Sequence, residues 1–182
     1  MFPNILTIIR IICSPLILFI LLMDGYNMML IGLIIFIIAS ITDFLDGYIA
    51  RLYNQRSNLG KILDPIADKL LVTAALLSIM LNDIIYGIHI VPAILLIFRE
   101  IFVSGLREYS RNREISVSNM AKVKTALQMI SIIILIPSNF FNENILLFGL
   151  IFLWSSAIIS MITAYQYLNF SLSKNIFFYE IN

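Results

Sequence analysis

Charged residues are scarce in this sequence. Of its 182 residues, 13% are charged and 60% are hydrophobic, and the mean hydropathy is +0.97. A soluble domain carries about 25% charged and about 45–50% apolar residues, so a soluble fold of this length would leave much apolar surface in water. The net charge of +1 also provides no electrostatic attraction for nucleic acid. The composition therefore predicts an integral membrane protein.

Cysteine and histidine are almost absent, since the chain has only Cys13 and His89. One cysteine excludes an internal disulfide and a cysteine-rich metal site, and one histidine excludes a multi-histidine centre. Any metal would therefore be held by oxygen atoms, which favours Mg²⁺ or Mn²⁺. No cleavable signal peptide is expected, because Arg10 interrupts the first apolar run and no small-residue cleavage site follows it.

Long apolar runs, by contrast, are abundant. A membrane-spanning helix needs about 20 mostly apolar residues, and six segments approximately meet this requirement. The predicted fold is an all-α polytopic membrane protein that forms a single domain over residues 1–182, with a short N-terminal interfacial segment. The six predicted spans are residues 5–23, 28–51, 62–81, 90–107, 123–136 and 145–168.

The basic residues are distributed unevenly along these spans. The connections at residues 24–27, 82–83 and 137–144 contain no lysine or arginine, and all 12 basic residues lie toward the opposite ends of the spans. Cytoplasmic loops of membrane proteins carry an excess of lysine and arginine. The pattern therefore places both termini, and the loops at 51–61 and 107–122, in the cytoplasm.

Most of the aspartates lie together at the cytoplasmic ends of the second and third spans. Asp43 and Asp46 are three residues apart and Asp64 and Asp68 are four apart, so each pair shares one helix face. An aspartate at membrane depth costs about 2.5–3.5 kcal/mol. The two spans are expected to be antiparallel neighbours, so the four carboxylates would converge and repel one another. One or two divalent cations would offset this repulsion.

Small residues and one arginine follow the same helix faces. Gly47 and Ala50 lie one and two turns after Asp43, and Gly60 lies one turn before Asp64. Such residues let a planar or phosphorylated ligand approach the backbone, and Arg51 could hold a phosphate beside the acids. Pro65 suits a first helical turn, which predicts that the third helix begins near Asp64.

These positions resemble the signature of the CDP-alcohol phosphotransferase family. The resemblance implies a homodimer in the bacterial cytoplasmic (inner) membrane, with a polar active-site cavity open to the cytoplasm. It also implies that the four aspartates hold two Mg²⁺ or Mn²⁺ ions, and that Asp68 takes the proton from the acceptor hydroxyl. The matching pattern is Asp43-x2-Asp46-Gly47-x2-Ala50-Arg51-x8-Gly60-x3-Asp64-x3-Asp68. The implied contacts to the CDP-linked donor are Asn4, Thr7, Gly47, Ala50, Arg51 and Gly60.

Three further segments are similar to the bacterial glycerol-phosphate branch of this family, which commonly has glycine where Ala121 stands. This similarity implies transfer of a phosphatidyl group from CDP-diacylglycerol to glycerol 3-phosphate, giving phosphatidylglycerol phosphate and CMP. An anionic acceptor also agrees with a cluster of cations expected to form one pocket wall: Arg107, Arg111, Lys122 and Lys124. The three segments are Asn4-x2-Thr7-x2-Arg10-x4-Pro15, Arg99-Glu100-Ile101 with Gly105-Leu106-Arg107, and Ala121-Lys122-Val123-Lys124-Thr125-x2-Gln128.

Two alternatives stay open at this point. The same reaction could use inositol phosphate, serine or phosphatidylglycerol as its acceptor, because the acidic motif fixes the reaction and not the acceptor. The acidic cluster could instead bind the cargo of a divalent-cation transporter. Transport needs a path to the other side of the membrane, and the outer halves of the spans offer only scattered polar groups such as Ser78 and Ser131.

Overall fold

The computed structural model describes the backbone of residues 2–52, 58–109 and 119–179, and the side chains of residues 7–42, 63–106 and 120–169. In these ranges the chain is entirely helical, which confirms the predicted all-α class. A single 3₁₀ turn precedes each of α4 and α6, at Gly87–His89 and Ser138–Phe140. The α-helices are α1 (Phe2–Leu21), α2 (Tyr26–Leu52), α3 (Asn58–Leu81), α4 (Ile90–Tyr109), α5 (Asn119–Leu135) and α6 (Glu143–Tyr179).

Three segments of the described chain are long and apolar enough to cross a membrane. They are Gly87–Leu106, Met120–Phe140 and Glu143–Asn169, and they correspond to the fourth, fifth and sixth predicted spans. Two further apolar stretches, Thr7–Leu21 and Tyr26–Thr42, are shorter. At 37 residues, α6 is about 55 Å long, well beyond a hydrocarbon core of about 30 Å. The chain is thus a membrane protein, while the count of six spans stays a prediction.

Two boundaries differ from the sequence-based expectation. The third helix begins at Asn58, six residues before Asp64, so the expected start near Asp64 is wrong. Pro65 lies inside the helix, where it removes one backbone donor and crowds the preceding turn, and the helix nevertheless continues through it to Leu81. The N-terminal segment is not a separate element, because α1 begins at Phe2.

The helices pack as two groups of three. In the first group α1 contacts both α2 and α3, and in the second α6 contacts both α4 and α5. Smaller contacts of α3 with α4 and α5, and of α2 with α5, join the groups. The main partner of α3 within the described chain is therefore α1, whereas the sequence pointed to α2. One buried core runs through both groups and includes Ile17, Phe36, Leu76, Ile132 and Leu153.

Two glycines let neighbouring helices approach each other closely. A Cβ atom at Gly32 of α2 would overlap with Leu21 Cδ2 of α1, and one at Gly149 of α6 would lie 2.6 Å from Leu135 Cδ2 of α5. Small residues at helix contacts are typical of membrane proteins, where close packing takes the place of the hydrophobic effect between helices.

Candidate active site at one end of the bundle

Helices α1 and α3 run parallel and in a fixed register. At the N-terminal ends Thr7 contacts Asp64 and Arg10 contacts Asp68. At the opposite ends the Asn82 side-chain amide donates to the backbone oxygen of Leu21, at 2.7 Å. Contacts at both ends of the pair hold the N-terminal turns of α1 beside the acidic turn of α3.

Each described aspartate of the acidic motif has a hydrogen-bonding partner on α1. The Thr7 hydroxyl donates to Asp64 Oδ1 at 2.5 Å, and Arg10 Nη1 donates to Asp68 Oδ1 at 2.6 Å. Thr7 and Arg10 are three residues apart and the aspartates are four apart, so one face of α1 meets one face of α3. The predicted pairing of Asp64 and Asp68 on a single helix face is thereby confirmed.

Burial is unequal across the Arg10–Asp68 ion pair. The Arg10 side chain is 2% exposed and the Asp68 side chain is 40% exposed. The charge of a buried guanidinium is costly unless it is paired, so Asp68 stabilises Arg10 in the helix interface. The carboxylate, meanwhile, lies at the boundary of the interface, where a ligand could reach it.

The chemistry of these donors fits a hard divalent cation. Asp64 and Asp68 offer carboxylate oxygens from the same face of α3, and such oxygens are the ligands that Mg²⁺ and Mn²⁺ prefer. Asp43 and Asp46 lie on α2, and their side chains are outside the described residues. Among side chains 7–42, 63–106 and 120–169, no three histidine, cysteine or acidic groups come together. The described part thus contributes two of the four expected metal ligands.

The expected donor-binding positions lie mostly outside the described side chains. Gly47, Ala50 and Arg51 are on α2, and Gly60 is in the first turn of α3. Asn4 is on α1, and its side chain also lies outside the described set. Thr7 is the exception: it is buried, and its hydroxyl is bonded to Asp64.

A second polar cluster joins α4, α5 and α6. The buried ammonium of Lys124 donates to Glu100 Oε1, and Arg99 Nη1 lies 3.5 Å from the same oxygen. Arg99 Nη2 also donates to the Thr163 hydroxyl on α6 at 3.0 Å. Arg99 and Glu100 are thus paired with each other, and Lys124 and Thr163 extend that pair to α5 and α6.

The four cations expected to line an acceptor pocket are not all placed alike. Lys124 is buried toward the helix contacts and Lys122 is exposed. Residues two apart in an α-helix are about 200° apart around its axis, so the two lysines lie on different faces of α5. They therefore do not form one wall together. The side chains of Arg107 and Arg111 are outside the described residues.

Arg10 lies in the N-terminal segment that is similar to the glycerol-phosphate branch, but the sequence did not predict its contact with Asp68. One signal was present: a cation within an apolar run needs a counter-charge or a route to water. That signal predicts an acidic partner without saying which one. Lys69, which follows Asp68, was also missed; its ammonium donates to the Ser104 hydroxyl and so links α3 to α4.

The opposite end of the bundle also carries a small site. A cavity of about 150 Å³ there is lined in part by Leu21, Asn82 and Phe140. Pockets for small organic ligands are commonly about 300–1,000 Å³, so this one is too small for a nucleotide. In the 3₁₀ turn that precedes α4, the Nδ1 atom of half-buried His89 accepts a hydrogen bond from Trp154 Nε1 of α6, at 3.2 Å.

Comparison with known proteins assigns a family to this arrangement. The family model of CDP-alcohol phosphatidyltransferases matches residues 1–162. A CDP-diacylglycerol–glycerol-3-phosphate 3-phosphatidyltransferase of Rickettsia felis is 42% identical over 169 residues, which are 91% of this chain and 92% of the relative. Proteins of the same name from Haemophilus influenzae and Blochmanniella floridana are 37% and 34% identical, over 91% and 98% of this chain. The match includes the whole of the acidic motif.

Proposed function

Because this chain belongs to the CDP-alcohol phosphatidyltransferase family, we propose that it transfers the phosphatidyl group of CDP-diacylglycerol to glycerol 3-phosphate. The products are phosphatidylglycerol phosphate and CMP. Relatives that carry the name of this reaction align with more than nine-tenths of the chain. One structural observation supports the site: Asp64 and Asp68 lie on one face of α3, each held by a buried side chain of α1.

A divalent metal belongs to this proposal, since the family in general depends on one. Two Mg²⁺ or Mn²⁺ ions would be held by Asp43, Asp46, Asp64 and Asp68. When bound, the ions would neutralise charge on the diphosphate of the donor and on the departing phosphate. The donor set supports this assignment, because oxygen ligands from two acid pairs suit hard cations.

Asp68 is proposed as the general base. Its side chain is 40% exposed, so the acceptor hydroxyl has access to the carboxylate. Asp68 takes the hydroxyl proton, and the acceptor oxygen forms a new bond to the phosphorus that carries the diacylglycerol. The bond from that phosphorus to the bridging oxygen of the diphosphate breaks, and CMP leaves with the bridging oxygen. Arg10 keeps the Asp68 carboxylate beside α1 during this exchange.

The donor nucleotide is assigned to the small-residue faces of α2 and α3. Gly47, Ala50 and Gly60 would let the cytidine lie against the backbone, and Arg51 would bind a phosphate. Asn4 and Thr7 are assigned to the same subsite from α1. Since Thr7 is buried and its Oγ1 lies 2.5 Å from Asp64 Oδ1, Thr7 would act on the donor through that carboxylate.

The acceptor phosphate is assigned to the four basic residues that lie, along the sequence, on either side of or within the segment between α4 and α5: Arg107, Arg111, Lys122 and Lys124. Buried Lys124 is the described member best placed for a desolvated phosphate, because Glu100 fixes its ammonium in position. Exposed Lys122 would act at longer range by attracting the anion.

The orientation of the chain in the membrane is proposed from the distribution of its basic residues. With six spans and the basic ends of the helices inside, the active site would face the cytoplasm from the bacterial inner membrane. A homodimer is proposed from the family resemblance. A maleimide test of single-cysteine variants in a Cys13→Ser background, in intact and in permeabilised cells, checks the orientation at Asn82–Asp83 and at residues 110–118.

The function is tested with detergent-purified chain, CDP-diacylglycerol, Mg²⁺ and glycerol 3-phosphate, with release of CMP as the measurement. Release that needs both Mg²⁺ and glycerol 3-phosphate supports the proposal. Release with inositol phosphate, serine or phosphatidylglycerol, but not with glycerol 3-phosphate, would support the phosphatidyl-transfer reaction and overturn the assignment of glycerol 3-phosphate as its acceptor. A folded chain that releases no CMP with any acceptor overturns the transferase assignment. Uptake of Mn²⁺ into vesicles by that chain would then favour cation transport.

A further inference from the structure

Helix α1 contributes two buried polar side chains to the acidic turn of α3. Thr7 is 1% exposed and Arg10 is 2% exposed, and each bonds a different aspartate. Burying a hydroxyl or a guanidinium is unfavourable unless it is bonded. Both residues bond expected metal ligands, and their helical spacing matches that of the two aspartates. Packing of the two helices alone does not require buried polar side chains at these positions.

Further hydrogen bonds hold α1 in register with α3 around these side chains. The Ser14 hydroxyl, also buried, donates to the Arg10 backbone oxygen at 2.8 Å within α1. At the far end Asn82 bonds the Leu21 backbone, so α1 cannot slide along α3 without breaking contacts at both ends. The position of α1 along α3 is thus determined at both ends, and the Thr7 and Arg10 side chains restrict the rotamers of the Asp64 and Asp68 carboxylates.

We propose that Thr7 and Arg10 are positioning residues, which hold the carboxylates of Asp64 and Asp68 in the orientation that binds a divalent cation. The inference rests on the proposed function, in which these aspartates are metal ligands. Neither residue needs to touch the cation. Loss of the groups that orient metal ligands typically costs about 10–100-fold in metal affinity or activity.

At Arg10 the charge of the guanidinium and its contact with Asp68 have opposite effects on metal binding, so the direction of the change distinguishes them. A guanidinium beside the site repels a divalent cation, so its removal would strengthen metal binding if charge were its main effect. If its main effect is to orient Asp68, removal weakens metal binding. At Thr7 the charge does not change, so only the orientation of Asp64 is affected.

The test measures the dissociation constant of Mn²⁺ for the full-length chain in detergent, from the electron paramagnetic resonance signal of free Mn²⁺ and without substrate. Thr7→Val keeps the shape and removes the hydroxyl, and we expect binding about 10-fold weaker, with near-native binding in Thr7→Ser. Arg10→Met is expected to bind Mn²⁺ about 10–100-fold more weakly. Arg10→Lys should recover part of that loss.

The matched control is Arg99→Met, which removes another buried arginine that is bonded to Thr163 and lies beside Glu100. Sites that share no partner behave independently, so its Mn²⁺ dissociation constant should stay within about twofold of the native value. Unchanged or tighter binding in Arg10→Met overturns the role of Arg10, as does an equal loss in Arg99→Met. If Arg10→Met does not fold, the pair Thr7→Val and Thr7→Ser decides, and equal binding by the two overturns the proposal.

Failure of this inference is distinguishable from failure of the proposed function. Native chain that releases CMP, together with variants of native Mn²⁺ affinity, overturns the positioning role and leaves the transferase assignment standing. Native chain that binds Mn²⁺ but releases no CMP, together with a weakened Thr7→Val, supports the positioning role and overturns the transferase assignment. A native chain without measurable Mn²⁺ binding overturns the inference.

Discussion

Glu100 of α4 and Lys124 of α5 form an ion pair in which the buried lysine ammonium donates to Oε1 of the carboxylate. Arg99 lies 3.5 Å from the same oxygen, so one acid faces two cations where α4, α5 and α6 meet. The pair fixes the ammonium in place and ties two helices of the second group together. A role in stability and a role in acceptor binding can both be tested at Lys124.

Lys124→Met is expected to destabilise the protein, because Glu100 then loses a charged hydrogen-bond partner in a partly buried site. Such bonds are worth about 1.5–3 kcal/mol. The measurement is thermal unfolding in detergent, followed by the fluorescence of Trp154, the single tryptophan. Lys122→Met, two residues away and exposed, should change the stability by less than about 0.5 kcal/mol. Equal loss in both variants would contradict the assigned contact.

Lys124→Met should also raise the KM for glycerol 3-phosphate about tenfold and leave the KM for CDP-diacylglycerol nearly unchanged. The reason is that a charged hydrogen bond is worth about 1.5–3 kcal/mol, and each 1.4 kcal/mol corresponds to a factor of ten. Steady-state CMP release at varied acceptor and donor concentrations separates the two constants. A variant with an unchanged acceptor KM would remove Lys124 from the acceptor site.

Asp68→Asn should lower kcat by about 10²–10⁴-fold, because a positioned general base is lost while the side chain keeps its size. Donor binding should be largely retained, since the other three aspartates remain. The control is Asp83→Asn, an exposed aspartate that follows α3 at the opposite end of the bundle. Its φ of +53° lies in the left-handed region, which asparagine tolerates, so turnover should be native. Native turnover in Asp68→Asn would disprove the assignment of the base.

Gly149→Ala is expected to destabilise the contact of α6 with α5 by about 1–3 kcal/mol, since an added methyl in a filled contact forces its neighbours to move. The new Cβ would lie 2.6 Å from Leu135 Cδ2 and 3.3 Å from Ile134 Cγ2. Gly105→Ala on α4 is the matched control, because nothing lies within 4 Å of its new Cβ. A helical alanine is about 0.5–1 kcal/mol better than glycine, so this variant should melt higher than the native chain. The opposite order of melting temperatures would contradict the described packing.

Local spacing in the sequence predicted much of the helical content and part of the site. The three-residue and four-residue intervals placed Asp64 and Asp68 on one face of α3, because helical periodicity depends only on neighbours in the chain. The same reasoning could not identify Thr7 and Arg10 as their partners. Those contacts join residues 57 and 58 positions apart, and periodicity reports the face of a helix without naming what packs against it.

Two other expectations failed for reasons of helix geometry. Proximity in sequence suggested that Lys122 and Lys124 share a wall, but two steps along a helix turn a side chain by about 200°. Pro65 suggested a helix start, because proline favours first turns. Proline at an interior position loses the bond of its missing N–H and crowds the carbonyl four residues earlier, yet the preceding turns from Asn58 are helical nonetheless.

The distance in sequence between Arg10 and Asp68 has a consequence for biosynthesis. Arg10 leaves the ribosome 58 residues before Asp68, and at a translation rate of about 5–20 residues per second this interval lasts about 3–12 s. During that time α1 carries a guanidinium into or near the bilayer before its carboxylate has been made. Until α3 has been made, the unpaired charge of Arg10 therefore makes α1 less stable in the membrane than the same helix in the finished protein. Completion of α3 provides the carboxylate that pairs with this charge.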